Sequence, residues 1–235
     1  MQYLLSLPVN WKPNGSWPIV MVIDSANREF RGNLQAFIDA RGTEPMILAA
    51  PFAISNGGTA YRSAPAYPYS EGVWNRIERE TPCRFDLEGI AAIAADLHKL
   101  YSGERRYFLT GWEAAGHTVW ALLFRHPEAL RAAIPVTPNY AGRCVTAGDF
   151  SSDPSRATLP VHVIRAGNGP APWPNPFFEK QSADAMRTAQ EHGFRSVTSA
   201  VAENQPHGPL AREVIEFIGS FQAGSRSHVP PSSVR

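Results

Sequence analysis

The residues with the clearest chemical potential lie between Arg106 and His117, in the stretch Arg-Tyr-Phe-Leu-Thr-Gly-Trp-Glu-Ala-Ala-Gly-His. The apolar start is typical of a short strand, and the glycines indicate a sharp turn before a helix. In this context the pattern G-x-S-x-G presents a nucleophilic serine. Here Glu113 takes the serine position and Ala115 takes that of the second glycine. A carboxylate at such a turn could act as a nucleophile or as a general base.

A histidine that could act together with Glu113 follows the last predicted strand, in the stretch Pro206-His207-Gly208. The carboxyl ends of parallel strands meet at one edge of a sheet, so this loop can reach the turn that carries Glu113. A buried carboxylate must be neutral, paired or solvated, because an unpaired one costs several kcal/mol. We therefore predict that Glu113 and His207 face one another in a shared site.

Alternating apolar runs and amphipathic segments predict the elements that position these two residues. The predicted strands are 3–9 (an edge strand), 19–23, 46–53, 106–112, 132–136, 161–165 and 197–201. The predicted helices are 33–41, 85–101 with Asp86 as its N-cap, 114–124, 177–192 and 210–221. Strands that alternate with helices need crossover connections, which predicts the α/β class with a doubly wound, mostly parallel sheet. We expect one domain over residues 1–222 and a disordered tail over 223–235.

This order of elements resembles the α/β-hydrolase fold, in which a nucleophile elbow follows a central strand and a histidine follows the last strand. The pieces that carry the resemblance are Thr110–His117, Leu159–Ile164 and Pro206–Gly208. The likeness covers roughly residues 1–222 and is nearest to small capless members, the dienelactone-hydrolase-like and polyhydroxybutyrate-depolymerase-like esterases. It implies a sheet without a separate cap domain.

The chain departs from the Ser-His-Asp pattern of such esterases at two of its three positions. Glu113 replaces the serine, and the acid position falls in Gly167-Asn168-Gly169. The amide of Asn168 cannot stabilise an imidazolium by charge. Asp149, in the irregular segment 137–158, is an alternative source of the acid.

The resemblance also implies two backbone donors for a developing oxyanion. One is the N–H of Ala114, directly after the nucleophile position, and the other is the N–H of Ser25 or Ala26, after the strand 19–23. Neither donor depends on the side chains that have changed. The oxyanion hole is therefore expected to persist.

Two kinds of function remain open on these residues. The first is a hydrolase-like enzyme acting on a small ester, lactone or related electrophile. Glu113 would serve as nucleophile, or as general base with a pKa raised by burial against Trp112. The second is a catalytically inactive homologue that binds a small carbonyl ligand or a partner, with Glu113 and His207 as an ion pair. An esterase inactivated by substitution would carry the same sequence.

Aromatic residues are the candidates for the walls of a pocket. Trp112 lies beside Glu113, and Trp173 lies in the proline-rich loop after the strand 161–165. Residues 54–82 are predicted to form a long aromatic loop, and loops of this length are often functional. This loop either walls the substrate pocket or packs on itself at the surface.

Composition narrows the classes of partner. The chain has 235 residues, a formal net charge of +1 and 18% charged residues, so no field for nucleic acid or a membrane surface is implied. No run approaches the roughly 18 apolar residues of a membrane span, and no metal-ligand spacing occurs. We expect a small-molecule ligand, no cofactor, no metal and a possible homodimer.

The cysteines and the N-terminus bear on the cellular compartment. Cys83 and Cys144 match no zinc or redox motif, and we interpret them as two free thiols in loops, with a disulfide as the alternative. The N-terminus lacks the basic region and apolar core of a signal peptide. A cytoplasmic location is therefore expected.

Overall fold

The computed structural model describes residues 1–57, 62, 67–140, 142–169 and 175–226, and within them seven strands form one sheet. Strand β1 pairs antiparallel with β3, and the other strand pairs are parallel. The spatial order is β1-β3-β2-β4-β5-β6-β7. The strands are β1 Tyr3–Ser6, β2 Ile19–Ile23, β3 Ile47–Pro51, β4 Tyr107–Trp112, β5 Leu130–Val136, β6 Val161–Ala166 and β7 Val197–Ala202. The predicted α/β class, with a mostly parallel sheet and no separate cap, is confirmed.

Six α-helices flank this sheet in the described residues: α1 Phe30–Arg41, α2 Glu71–Glu80, α3 Pro82–Tyr101, α4 Gly116–Arg125, α5 Pro176–Glu191 and α6 Ala211–Arg226. Buried side chains of α1 and α6 pack on one face, and those of α3, α4 and α5 on the other. Residues 223–226 continue α6 and are helical, although they fall in the predicted tail; residues 227–235 lie outside the described residues. Among the described helices, none combines the length and apolar character needed to cross a bilayer.

The second strand illustrates why the central strands are continuous apolar runs. Ile19, Met21 and Ile23 point into one core cluster, whereas Val20 and Val22 point into the other. Because helices cover both faces, every position of the strand is buried. The carboxyl end of this strand lies beside that of β4, where the predicted site begins.

Helix α3 begins earlier than the sequence pattern predicts. Thr81 is its N-cap and Pro82 opens the first turn, a position where proline's fixed φ suits the helix. The predicted cap, Asp86, instead lies inside the helix with its side chain fully buried. Its carboxylate accepts the N–H groups of Ile54 and Ser55 at 2.7–3.0 Å. Asp86 therefore fastens the loop after β3 rather than capping a helix.

The aromatic segment 54–82 is more ordered than predicted in its described part, because it contains helix α2. Tyr67 and Tyr69 stack at a centroid distance of 6.1 Å, and Trp74 meets both rings edge to face at 5.6–5.9 Å. They also pack with Phe30 and Phe85 around α2 and α3. These aromatic side chains form a third core cluster, so they fit the packing alternative better than the pocket wall. Tyr61, in the same segment, lies outside the described residues.

The expectation of two free thiols is wrong, because Cys83 and Cys144 form a disulfide. Cys83 lies in the first turn of α3, and Cys144 lies in the irregular segment after β5. Their Cα atoms are 5.5 Å apart although 61 residues separate them in sequence. Disulfides persist mainly in oxidising compartments, so this bond argues against the cytoplasmic location expected above.

Candidate active site

Glu113 lies on a sharp turn between strand β4, which ends at Trp112, and helix α4, which begins at Gly116. Its φ of +52° falls in the left-handed region that residues with a side chain rarely adopt. The neighbouring segment holds this conformation, since the Asn139 N–H donates to the Glu113 carbonyl at 2.8 Å. A strained backbone at the end of a central strand is a common feature of functional positions.

The turn is possible because two glycines allow the chain to approach closely. A Cβ added at Gly111 would lie 2.8 Å from the Cβ of Ala115, and one at Gly116 would lie 2.3 Å from the carbonyl oxygen of Asn139. The extra methyl group at Ala115 is therefore accommodated in the space that a side chain at Gly111 would need. The alanine in the second glycine position does not open the turn.

Sheet register places Ser25 beside Glu113. Ile23 of β2 pairs with Gly111 of β4, so the residues two positions further along both strands are neighbours. The Ser25 Oγ–H donates to Glu113 Oε2 at 3.2 Å, and the serine is buried. The sequence predicted only a backbone role for Ser25; counting forward from the paired strands would have found the side-chain contact.

His207 reaches the same carboxylate oxygen from the loop after β7. Its Nε2 lies 3.4 Å from Glu113 Oε2, at the long end of the hydrogen-bond range. The ring of Trp112 meets the imidazole at a centroid distance of 5.4 Å, and that of Phe178 stacks on it at 5.0 Å. Phe178, in the first turns of α5, carried no signal in the sequence. These two rings contact the imidazole of His207.

The electrostatics of Glu113 differ from the expectation that burial raises its pKa. The hydrogen bond with His207 lowers the pKa of the carboxyl below its ordinary value. The hydroxyl of Ser25 lowers it further, and together these partners outweigh the opposing effect of burial. The carboxyl group is therefore ionised at neutral pH.

The two oxygens of this carboxylate have different surroundings. Within the described residues, both hydrogen bonds of the side chain end on Oε2, and Oε1 has no protein donor. The Glu113 side chain keeps 32% of its surface exposed, compared with 15% for His207. One carboxylate oxygen is therefore held by the protein while the other is open to a ligand.

Solved structures with the same arrangement of elements identify the fold. A thermostable esterase aligns with a TM-score of 0.56 at 20% identity, over 93% of this chain and 58% of that one. Esterase PE8 aligns with a TM-score of 0.64 at 15% identity, over 94% and 97% of the two chains. A candidate dienelactone hydrolase from Klebsiella pneumoniae aligns at 0.55 and 14%, over 97% and 100%. The chain has the α/β-hydrolase fold.

The likeness to these proteins is one of fold. No protein-family profile matches the sequence, and no curated protein is similar to it. The chain spans 58% of the thermostable esterase but nearly the whole of esterase PE8. The predicted membership in the α/β-hydrolase fold is confirmed, and the activity of each neighbour belongs to that neighbour.

Asn168 lies in the stretch that the sequence predicts as the acid position. Asn168 is exposed, its Oδ1 accepts the Gly169 N–H at 2.8 Å, and its own N–H donates to the Gln205 carbonyl. The alternative acid, Asp149, forms an ion pair with Arg125 at 2.8 Å. The carboxylate of Asp149 is therefore already paired with the guanidinium of Arg125. Trp173, the other pocket candidate, lies outside the described residues.

The residues predicted as oxyanion donors lie around Glu113. Ala114 follows it in the turn and is buried, as is Ser25, whereas Ala26 is exposed. Asn56 was not predicted: its buried Nδ2 donates to the carbonyls of Asp24 and Ser25. It therefore positions the loop that would supply the second donor.

Asp24 is a further buried carboxyl beside the site. Burial raises its pKa to about 6, and neither carboxylate oxygen has a hydrogen-bond partner among the described residues. Its side chain has no exposed surface, so it does not reach a ligand. In the described part of the chain, no three acidic, histidine or cysteine side chains come together as a metal site would require.

Proposed function

We propose that this protein is a hydrolase of small esters, lactones or related electrophiles that uses Glu113 as its nucleophile. The observation that carries the proposal is the asymmetric carboxylate at the elbow: Oε2 is held by Ser25 and His207, and Oε1 is open. The lowered pKa of Glu113 keeps the carboxylate in its nucleophilic, ionised form. A lowered pKa makes it a weaker base, which favours nucleophilic attack over general-base catalysis.

The proposed reaction has two steps. Oε1 bonds to the electrophilic carbon, the bond to the leaving oxygen breaks, and a covalent glutamyl intermediate remains. The N–H groups of Ala114 and of Ser25 or Ala26 would stabilise an oxyanion formed at an acyl carbon. The leaving oxygen departs with the bonding electron pair and takes up a proton from solvent. His207 then takes a proton from a water molecule as its oxygen attacks the carboxyl carbon of Glu113; the bond from Oε1 to the substrate breaks, the carboxylate is restored, and His207 releases its proton to solvent.

Ester substrates are supported by the solved structures of the same fold, two of which are described as esterases. A small ligand is supported by the net charge of +1, because so small a charge produces no strong electrostatic field that would attract a polyanion. The oxyanion donors and the ionised carboxylate at the elbow fit a carbonyl or epoxide carbon as the point of attack.

The experiment that tests this function compares wild type with Glu113→Gln, His207→Ala and the exposed control Glu29→Gln on p-nitrophenyl esters and an epoxide. Glu113→Gln should lower kcat/KM by about 100-fold or more, since a neutral amide is a poor nucleophile. His207→Ala should accumulate an adduct on Glu113 that intact mass spectrometry detects. With the epoxide, whose glutamyl ester is hydrolysed at the Glu113 carboxyl carbon, turnover in H₂¹⁸O should label the Glu113 carboxylate; label in the product alone would indicate a general base instead.

The second candidate is a catalytically inactive α/β-hydrolase homologue that binds a small carbonyl ligand or a partner. The exposed Asn168 at the acid position, with its amide oxygen held by Gly169, favours this alternative. A wild type without esterase or epoxide activity, together with activity in Glu113→Ser, would support it and would reject the proposed hydrolase.

A further inference from the structure

A cavity of about 510 Å³ lies beside the disulfide, outside the Glu113 site. Its walls combine apolar groups with two guanidinium groups; the lining includes Ile54, Pro82, Cys83, Cys144, Arg125 and Arg143. Its volume lies within the range of about 300–1,000 Å³ that is typical of small-molecule sites. The cavity is formed by the loop after β3, the start of α3 and the segment after β5.

Arg143 is an exposed residue that lines this cavity, and part of its guanidinium group is already held by the protein. Its Nη1 donates to the carbonyl oxygens of Ser55 at 2.9 Å and Gly57 at 3.0 Å. A guanidinium group has five N–H donors, so these two bonds leave Nε and Nη2 without a partner in the described residues. That edge is the fork that binds a carboxylate or phosphate with two parallel hydrogen bonds.

The charge balance around the cavity favours an anion. Arg125 is paired with Asp149 at 2.8 Å, but Arg143 forms no ion pair with a carboxylate in the described parts of the chain. His117 is neutral at neutral pH, because burial first, and then the charge of Arg143, lower its pKa to about 4. Two backbone carbonyls therefore hold the guanidinium of Arg143, and no carboxylate of the described residues compensates its charge.

We propose that this cavity binds a small organic anion. The carboxylate or phosphate head group would accept hydrogen bonds from Nε and Nη2 of Arg143. The apolar body of the ligand would pack against Ile54, Pro82 and the disulfide.

The cavity is connected to Glu113 by a short chain of contacts. Ser55 and Gly57, which hold Arg143, flank Asn56, whose side chain binds the Ser25 carbonyl at 3.4 Å. Ser25 in turn donates to Glu113. An anion bound to Arg143 would act on the loop that positions Ser25. Its binding would therefore affect the position of Ser25 beside Glu113. The binding itself does not depend on the hydrolase activity proposed above.

Isothermal titration calorimetry on the wild-type chain at fixed ionic strength tests the proposal with three probes. These are 4-phenylbutyrate, its neutral amide, and phenyl phosphate. At least one of the two anions should bind saturably, and the amide should bind about tenfold more weakly or not at all, because charge-assisted hydrogen bonds are the stronger ones. Which anion binds more tightly identifies a carboxylate or a phosphate as the preferred head group.

Variants of Arg143 then test whether the anion binds in this cavity. Arg143→Met should lose about tenfold or more in affinity, and Arg143→Lys should keep the charge but lose the fork and much of the binding. Arg195→Met, an exposed arginine away from the cavity, is the matched control and should bind as wild type does. The proposal is overturned if neither anion binds the wild type, if the amide binds equally well, or if a folded Arg143→Met retains full affinity.

Discussion

At the scale of single residues, a glutamate at the elbow changes the catalytic role that His207 would have. A serine needs a base to remove its proton before it can attack. An ionised carboxylate needs none, so in the proposed mechanism His207 serves only the water that follows. The Oε2 contacts with His207 and Ser25 keep Glu113 ionised.

The relative size of the effects of His207 and Ser25 leads to a prediction about the pKa of Glu113. His207→Ala should raise this pKa more than Ser25→Ala does, because the bond with His207 is the larger of the two lowering effects. Any acidic limb of activity that reports Glu113 should therefore move to higher pH in both variants. Carboxyl ¹³C NMR titration of glutamate-labelled protein measures the pKa directly. Ser220→Ala, far from the carboxylate, should leave it unchanged, and an equal or reversed order would contradict the assignment.

At the scale of elements, the site depends on how closely the turn approaches the segment after β5. Asn139 bonds the carbonyl of Glu113, and its own carbonyl oxygen lies where a side chain on Gly116 would be. The first residue of α4 is therefore glycine for a packing reason, since its φ is −50°. The conformation of Glu113 and the start of the helix are determined together.

Replacing Gly116 with alanine should be destabilising. The new Cβ would lie 2.3 Å from a backbone oxygen, and displacing it should lower the free energy of unfolding by about 1–3 kcal/mol, as overpacking usually does. Gly219→Ala is the matched control, because nothing lies within 4 Å of its added Cβ. In the helix interior this change should instead raise the free energy of unfolding by about 0.5–1 kcal/mol. Urea denaturation measures both; a neutral Gly116→Ala would show that the turn can relax.

At the scale of the whole molecule, long-range links hold the loops of the carboxyl edge in place. The disulfide joins α3 to the segment after β5, and Arg143 joins that segment to the loop after β3. Asp86 holds the same loop from inside α3, and burial raises its pKa to about 6. The elbow and the proposed anion cavity therefore share one framework of loops.

Removing the disulfide should lower stability substantially. It closes a loop of 61 residues, and the chain-entropy estimate for a loop of this size is about 4 kcal/mol. The denaturation midpoint should fall on addition of dithiothreitol and in a Cys83→Ser/Cys144→Ser variant. The variant itself should no longer respond to dithiothreitol. A wild type whose midpoint is the same with and without the reductant would show that the bond adds no stability.

Features that depend on residues near one another in the chain can be predicted from the sequence. Strand β2 is recognisable because burial on both faces requires a continuous apolar run, and its predicted bounds agree with the structure. The elbow is recognisable because a strand, a turn with glycines and a helix follow within a dozen residues. The α/β class followed from the alternation of elements, and the need for a partner to Glu113 followed from the cost of burying a charge.

The tertiary structure alone decided the features that depend on distances between remote residues. Ser25 and Glu113 are 88 residues apart and Cys83 and Cys144 are 61 apart, so only folding brings them together. The pKa of Glu113 falls instead of rising because two partners from distant loops outweigh burial. Asp86 fits a helix cap by its local pattern, yet it binds the loop after β3 because the fold buries it there. Local pattern predicts elements, whereas the balance of charge, burial and hydrogen bonds within a site exists only after they pack.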